Sequence, residues 1–127
     1  MSEKNIAIVN EINDAFTRND TEGFLAHCTA DLYWAMAGDT EQKGKSTIRE
    51  WMKQMDGHEA PKFTVEAIFG DGNHVACHGQ MSMKDKVGNE GKYSYCDVYT
   101  FAGDKVSELR SFVVAHKSEE KNTSASA

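Results

Sequence analysis

Lys92–Phe101 (KYSYCDVYTF), the tight Ala102-Gly103-Asp104 turn and Lys105–His116 (KVSELRSFVVAH) together form the stretch on which the fold turns. Aromatic and β-branched residues recur at every second position, and a short Gly-Asp break separates the two runs, so they read as a β-hairpin. Side chains two apart in a strand point the same way, which places Asp97 in a row with Tyr93, Tyr95, Tyr99 and Phe101. On the return strand Leu109, Ser111 and Val113 share one face, while Glu108 and Arg110 share the other as an expected surface or dimer ion pair. A carboxylate in an apolar row is costly unless it is paired or protonated. Asp97 is therefore either a satisfied structural acid, bonded to Tyr95, Tyr33 or backbone, or a functional group.

Two further strands are legible upstream of this hairpin. Phe63, Val65, Ala67 and Phe69 alternate with Thr64, Glu66 and Ile68, and Gly70-Asp71-Gly72-Asn73 is a strong turn signal. Val75, Cys77, Gly79, Met81 and Met83 then alternate with His74, Ala76, His78, Gln80 and Ser82, and a Gly-rich loop at 88–91 leads into the Asp97 strand.

The N-terminal half has the helical period instead. Ile6, Val9, Ile12, Ala15 and Phe16 predict an amphipathic helix over 4–18. Asp20 is placed to cap a short second helix with Phe24, Leu25 and Cys28 inward. Asp31–Met36 reads as a strand, 37–45 as a polar loop, and Ser46 as the cap of a third helix. Ile48, Trp51, Met52 and Met55 line that helix, and Gly57 stops it. Three helices followed by long antiparallel strands predict one α+β domain over 1–116. In it a curved antiparallel sheet, wrapped by the three helices, forms a cone around an apolar pocket. The polar tail 117–127 is expected to be disordered.

Composition narrows the function classes. The chain has 127 residues and a net charge of −6, with scattered basic residues, so a nucleic-acid partner is not expected. No apolar run approaches membrane-spanning length, and Met1–Glu11 does not read as a signal peptide. Cys28, Cys77 and Cys96 read as small buried thiols, an odd set that fits the reducing cytoplasm. The five His and three Cys show no metal-ligand spacing, and no Gly-rich phosphate loop or nucleophile elbow occurs, so neither metal nor cofactor is expected.

Taken in order, Asn19–Gly23, Thr29–Leu32, Lys43–Arg49 and Asp97–Val106 resemble the fold shared by nuclear transport factor 2, ketosteroid isomerase and the SnoaL-like polyketide cyclases. The resemblance implies a cone with an internal pocket and a homodimer through the sheet. It does not carry over steroid isomerisation. The base Asp of the isomerase falls on Met36 and its Tyr donor on Ile12, and only its protonated donor Asp is kept, at Asp97. The late carboxylate of the cyclases falls near Val114.

Asp97 is the leading candidate for acid/base work, with Tyr95, Tyr33 and His27 as helpers. For His27 the plain alternative is a histidine stabilised at a helix C-terminus. Ile12, Phe16, Trp34, Met36, Trp51, Met52, Cys77, Met81, Tyr99, Leu109, Ser111 and Val113 are expected to line the pocket. Plain core packing is the alternative for the Met and aromatic members. His74 and His78 are expected on the outer sheet face with Gln80, Ser82, Ser94, Cys96 and Thr100, and His58 in a loop. The expected ligand is a small, mostly apolar, oxygen-bearing molecule handled without a cofactor. A non-catalytic carrier or protein-interaction module is the rival reading.

Overall fold

The hairpin that decides the fold forms as expected. In the computed structural model, which describes residues 2–54, 61–84 and 88–117, strands β5 (Glu90–Ala102) and β6 (Lys105–Ala115) pair antiparallel, with Ala102 opposite Lys105. Gly103 makes the turn possible at φ +65°, a conformation that side-chain-bearing residues rarely adopt. Met55, Gly57, His58 and the tail 118–127 lie outside the described residues, as do the readings placed on them.

The remaining elements are α1 (Ser2–Thr17), α2 (Thr21–Leu25), β1 (Cys28–Met36), β2 (Glu41–Lys43), α3 (Lys45–Lys53), β3 (Lys62–Asp71) and β4 (His74–Lys84). The strands form one sheet in the order β2-β1-β6-β5-β4-β3, so β2 and β3 are free edges and the sheet is unclosed. Register shifts in the β1–β6, β3–β4 and β5–β6 pairings bend it, as an extra residue on one strand must. Helix α1 packs on β3 and β4, and α3 packs on β1, so the helices cover the concave face.

Several local expectations are corrected. The polar loop 37–45 contains β2, which pairs with β1. The first strand starts at Cys28 rather than Asp31, so Cys28 belongs to β1 and not to α2. Helix α3 is preceded by Gly44, and Ser46 lies inside it. One pairing in the sheet is parallel: β1 and β6 are joined through most of the chain, so no hairpin forces them to be antiparallel. Asp20 does cap α2, its side chain accepting from the Gly23 amide at 2.9 Å.

The largest correction concerns β3. An even alternation would put Phe63, Val65, Ala67 and Phe69 on one face. A bulge between Val65 and Ala67 shifts the phase, so Phe63 pairs with Met81 and Ile68 with Cys77 on the inner face, while Phe69 pairs with Ala76 on the outer face. Gly79 sits opposite this bulge, and a Cβ there would collide with the Thr64 carbonyl oxygen. The outer face is therefore more apolar than the set His78, Gln80, Ser82, Ser94, Cys96 and Thr100 suggests. Phe69 (57% exposed), Phe112 (45%) and Val114 (65%) all stand on it.

Inside, Val9, Ile12, Phe24, Leu25, Leu32, Ile48, Val75, Tyr99, Val106 and Leu109 form the core. Each large side chain buried there contributes roughly 1.5–3 kcal/mol. No helix among the described residues is long and apolar enough to cross a membrane.

Candidate functional site

Beside this core the concave side of the sheet leaves a cavity of about 260 Å³. That is near the lower end of the range for small-molecule sites, roughly 300–1,000 Å³. Each wall comes from a different element. Phe16 comes from α1, Trp34 and Met36 from β1, and Trp51 and Met52 from α3. The sheet adds Phe63, Met81, Met83 and Val113. The aromatic members interlock: Trp34 meets Trp51 edge-on at 5.1 Å between centroids and lies 6.0 Å from Phe16. Such pairs hold a rigid wall, whereas the Met side chains can adapt to a ligand's shape.

Polar groups are few and concentrated. Asp97, Ser111 and Tyr95 stand on the sheet, and Asn19, Asp20 and Thr21 form a separate polar edge at the α1–α2 junction. Asp97 is 8% exposed and is flanked in register by Cys77 on β4 and Ser111 on β6. Burial pushes its carboxyl up from 3.8 to about 6, and a hydrogen bond from Ser111 holds it back in part. A carboxyl at that value exchanges its proton near neutral pH, which is what general acid/base work needs. Ser111, itself 4% exposed, also accepts from the Trp34 indole Nε1 at 3.0 Å.

Tyr95 packs edge-on against Phe63 at 5.4 Å, and its hydroxyl lies 3.8 Å from Cys77 Sγ. The Asn13 amide donates to the same sulfur at 3.6 Å. Burial raises the proton affinity of Tyr95, Cys77 and Tyr99, so all three are neutral at pH 7. Burial likewise pushes the Cys28 thiol up to about 12, which leaves it inert as a nucleophile.

Of the residues expected at the site, Asp97, Tyr95, Phe16, Trp34, Met36, Trp51, Met52, Met81, Ser111 and Val113 meet around the cavity. Ile12, Cys77, Tyr99 and Leu109 do not reach the wall. They are fully buried in the adjoining core, where the narrowing sheet and α1 close over them. Two expected helpers lie elsewhere. Tyr33 pairs with Glu108 on the outer side, where the Arg110 guanidinium stacks 5.6 Å from its ring. Arg110 also bonds Glu108 at 2.6 Å, the expected surface ion pair. The His27 ring is turned to Glu11 on α1, 3.6 Å away, and is not on the cavity wall.

Phe63, Pro61, Asn19, Asp20 and Thr21 were not expected on the wall. The first follows once the bulge in β3 is placed, but the others come from connections whose positions no periodicity encodes. Asn13 was also missed, although a polar residue one position after Ile12 on an otherwise apolar helix face is a visible signal. Among the described residues no three His, Cys, Asp or Glu side chains gather as a metal-binding set.

A model of the SnoaL-like domain matches residues 9–109. No curated protein matches the chain. Solved structures share its fold at low identity. An LEH-like epoxide hydrolase from Mycobacterium tuberculosis superposes with a TM-score of 0.80 at 16% identity, over 89% of this chain and 84% of the other. A candidate SnoaL-like polyketide cyclase from Jannaschia sp. CCS1 gives 0.79 at 14% identity, over 88% and 86%. An NTF2-like protein of unknown function from Cytophaga hutchinsonii gives 0.69 at 22% identity, over 85% and 97%.

Proposed function

The chain belongs to the SnoaL-like domain family, and we propose that its cavity binds a small, mostly apolar molecule through one oxygen, with Asp97 as the proton donor to that oxygen. The observation that carries this reading is one buried, readily protonated carboxyl, with Ser111 beside it, on a mostly apolar and aromatic wall. Such a site rewards a ligand whose carbon skeleton fills the Trp34–Trp51–Met52 side and whose oxygen meets Asp97. The chemistry is proton transfer of the isomerase, cyclase or dehydratase kind. Asp97 gives its proton to the ligand oxygen, Ser111 steadies the carboxylate left behind, and the proton returns when product forms. No cofactor is required for such a cycle. Steroid isomerisation is outside the proposal, because Met36 and Ile12 supply neither a base nor a second donor.

Native mass spectrometry of the freshly purified protein, followed by denaturing mass analysis, identifies any non-covalent small molecule it carries. Titration with a panel of cyclic ketones and epoxides, read by the fluorescence of Trp34 and Trp51, then tests Asp97. Saturable binding weakened at least about tenfold in Asp97→Asn is the expected result, since a hydrogen bond to an ionisable group is worth roughly 1.5–3 kcal/mol. No saturable response, or equal affinity in the variant, would overturn the assignment.

A second reading has its own support. Phe69, Phe112 and Val114 leave an apolar strip on the outer sheet face. The occupant we propose there is a second copy of the chain, in keeping with the homodimer the family resemblance implies. In a purely non-catalytic module this contact would be the function, and the cavity would hold cargo.

A further inference from the structure

Ser111 belongs to the polar group on the sheet side of the cavity wall and has only one proton to place. A serine hydroxyl can donate once and accept twice, whereas an indole N–H can only donate. The Trp34 Nε1 group lies 3.0 Å from Ser111 Oγ and can approach it only as a donor. One lone pair of Ser111 is therefore taken from the β1 side, while Asp97 sits directly across on β5, in register with Ser111.

We propose that Trp34 is a positioning residue for Asp97: its indole N–H occupies Ser111 Oγ and thereby fixes the serine proton on the Asp97 carboxyl. The relay runs in one direction, Trp34 to Ser111 to Asp97. It commits one Asp97 oxygen as acceptor and leaves the other to carry the exchangeable proton. It deepens the reading of Asp97 as the proton donor and rests on it. Without Trp34 the serine proton gains a second direction, toward the vacated β1 side, and the hydrogen bond that Ser111 gives the Asp97 carboxyl is weakened.

Burial sets the shift of Asp97, and among the groups around it the Ser111 bond is what opposes burial. Cys77 across on β4 and Tyr95 and Tyr99 along β5 keep their protons through neutrality, because burial raises all three. Cys96, its chain neighbour toward the outer face, is raised in the same way. Asn13 from α1, Trp34 from β1 and Trp51 from α3 carry no charge. Asp20, on the polar edge of the cavity, is the other carboxylate on its wall.

The test uses the whole protein without ligand, so its failure is distinguishable from failure of the binding reading. The chain has two tryptophans, hence two indole N–H signals in a proton–nitrogen correlation spectrum. A Trp51→Phe variant assigns them, and the carboxyl carbon of Asp97 is followed over the same pH range. The Trp34 indole signal is expected to shift with the midpoint of Asp97, and to move upfield in Ser111→Ala. Both Ser111→Ala and Trp34→Phe should raise the Asp97 midpoint by about half a pH unit or more. A Trp34 signal indifferent to pH, or unchanged in Ser111→Ala, overturns the relay. So does an unaltered Asp97 midpoint in a folded Trp34→Phe protein, since that variant keeps an aromatic ring at the position but has no N–H to donate. Should Trp34→Phe fail to fold, the wild-type indole titration decides alone.

Discussion

Replacing Asp97 by Asn should make the protein more stable at neutral pH and nearly indifferent to the change at acid pH. In the fold its carboxyl is raised from 3.8 to about 6, chiefly by burial. Between those two values the folded protein holds a proton that the unfolded chain has released, so stability falls as pH rises. The stabilising difference is complete below 3.8 and gone once pH has passed about 6. Each pH unit in that window is worth about 1.4 kcal/mol, so the total is about 3 kcal/mol, a large share of a domain's usual 5–15. The side chain is only 8% exposed, so solvent screening takes little from this figure. Urea denaturation of wild type and Asp97→Asn at intervals from pH 4 to pH 8 measures it. Asn introduces a constant offset of its own, so the informative quantity is the change in the difference between the two proteins with pH. It should grow in favour of the variant by about 2.5 kcal/mol from pH 4 to pH 7, the rest of the window lying below pH 4. Parallel curves would show that burial does not disfavour the carboxylate. A difference growing in favour of wild type would mean that the fold stabilises the ionised form, and the case for Asp97 as a proton donor would collapse.

Gly79→Ala should lower stability by roughly 1–3 kcal/mol, because its methyl group would meet backbone atoms of Thr64 and Glu66 at the β3 bulge, which cannot swing aside as a flexible side chain would; an unchanged thermal midpoint would contradict the bulge geometry. Tyr99→Phe removes a fully buried hydroxyl that has no hydrogen-bond partner among the described residues. Calorimetry should find the variant at least as stable as wild type, by up to about 1 kcal/mol, and a comparable loss would mean that the hydroxyl is satisfied. Phe112→Lys combined with Val114→Lys places charge on the outer sheet face. On the proposed assembly, wild type should sediment as a dimer and the variant as a monomer with unchanged circular dichroism, whereas the same sedimentation for both proteins would refute a contact at this strip.

The sequence by itself determined the class of fold and its most informative residue. A switch from the 3.6-residue period of Ile6–Phe16 to the two-residue period of the C-terminal half reports which backbone each segment adopts, because periodicity is a local property of helix and strand. For the same reason Asp97 could be placed in its aromatic row and Trp51 and Met52 on one helix face, whereas the inward side of Ser111 and Val113 came with the family resemblance. What local pattern cannot carry is how elements meet. Tyr33 and His27 were reasonable helpers until the pairing of β1 with β6 turned the first outward and α1 drew the second toward Glu11. Ile12, Cys77, Tyr99 and Leu109 point inward as expected, yet whether an inward side chain fills core or lines a cavity depends on the spacing between layers, which no strand encodes alone. The bulge in β3 moved Phe69 to the outer face because one extra residue reverses every side chain beyond it. The environment of Asp97 was likewise settled only in three dimensions. Ser111 faces it across the hairpin, but Trp34 lies far away in the chain, and only the β1–β6–β5 pairing brings its indole onto Ser111 beside the largely buried carboxyl.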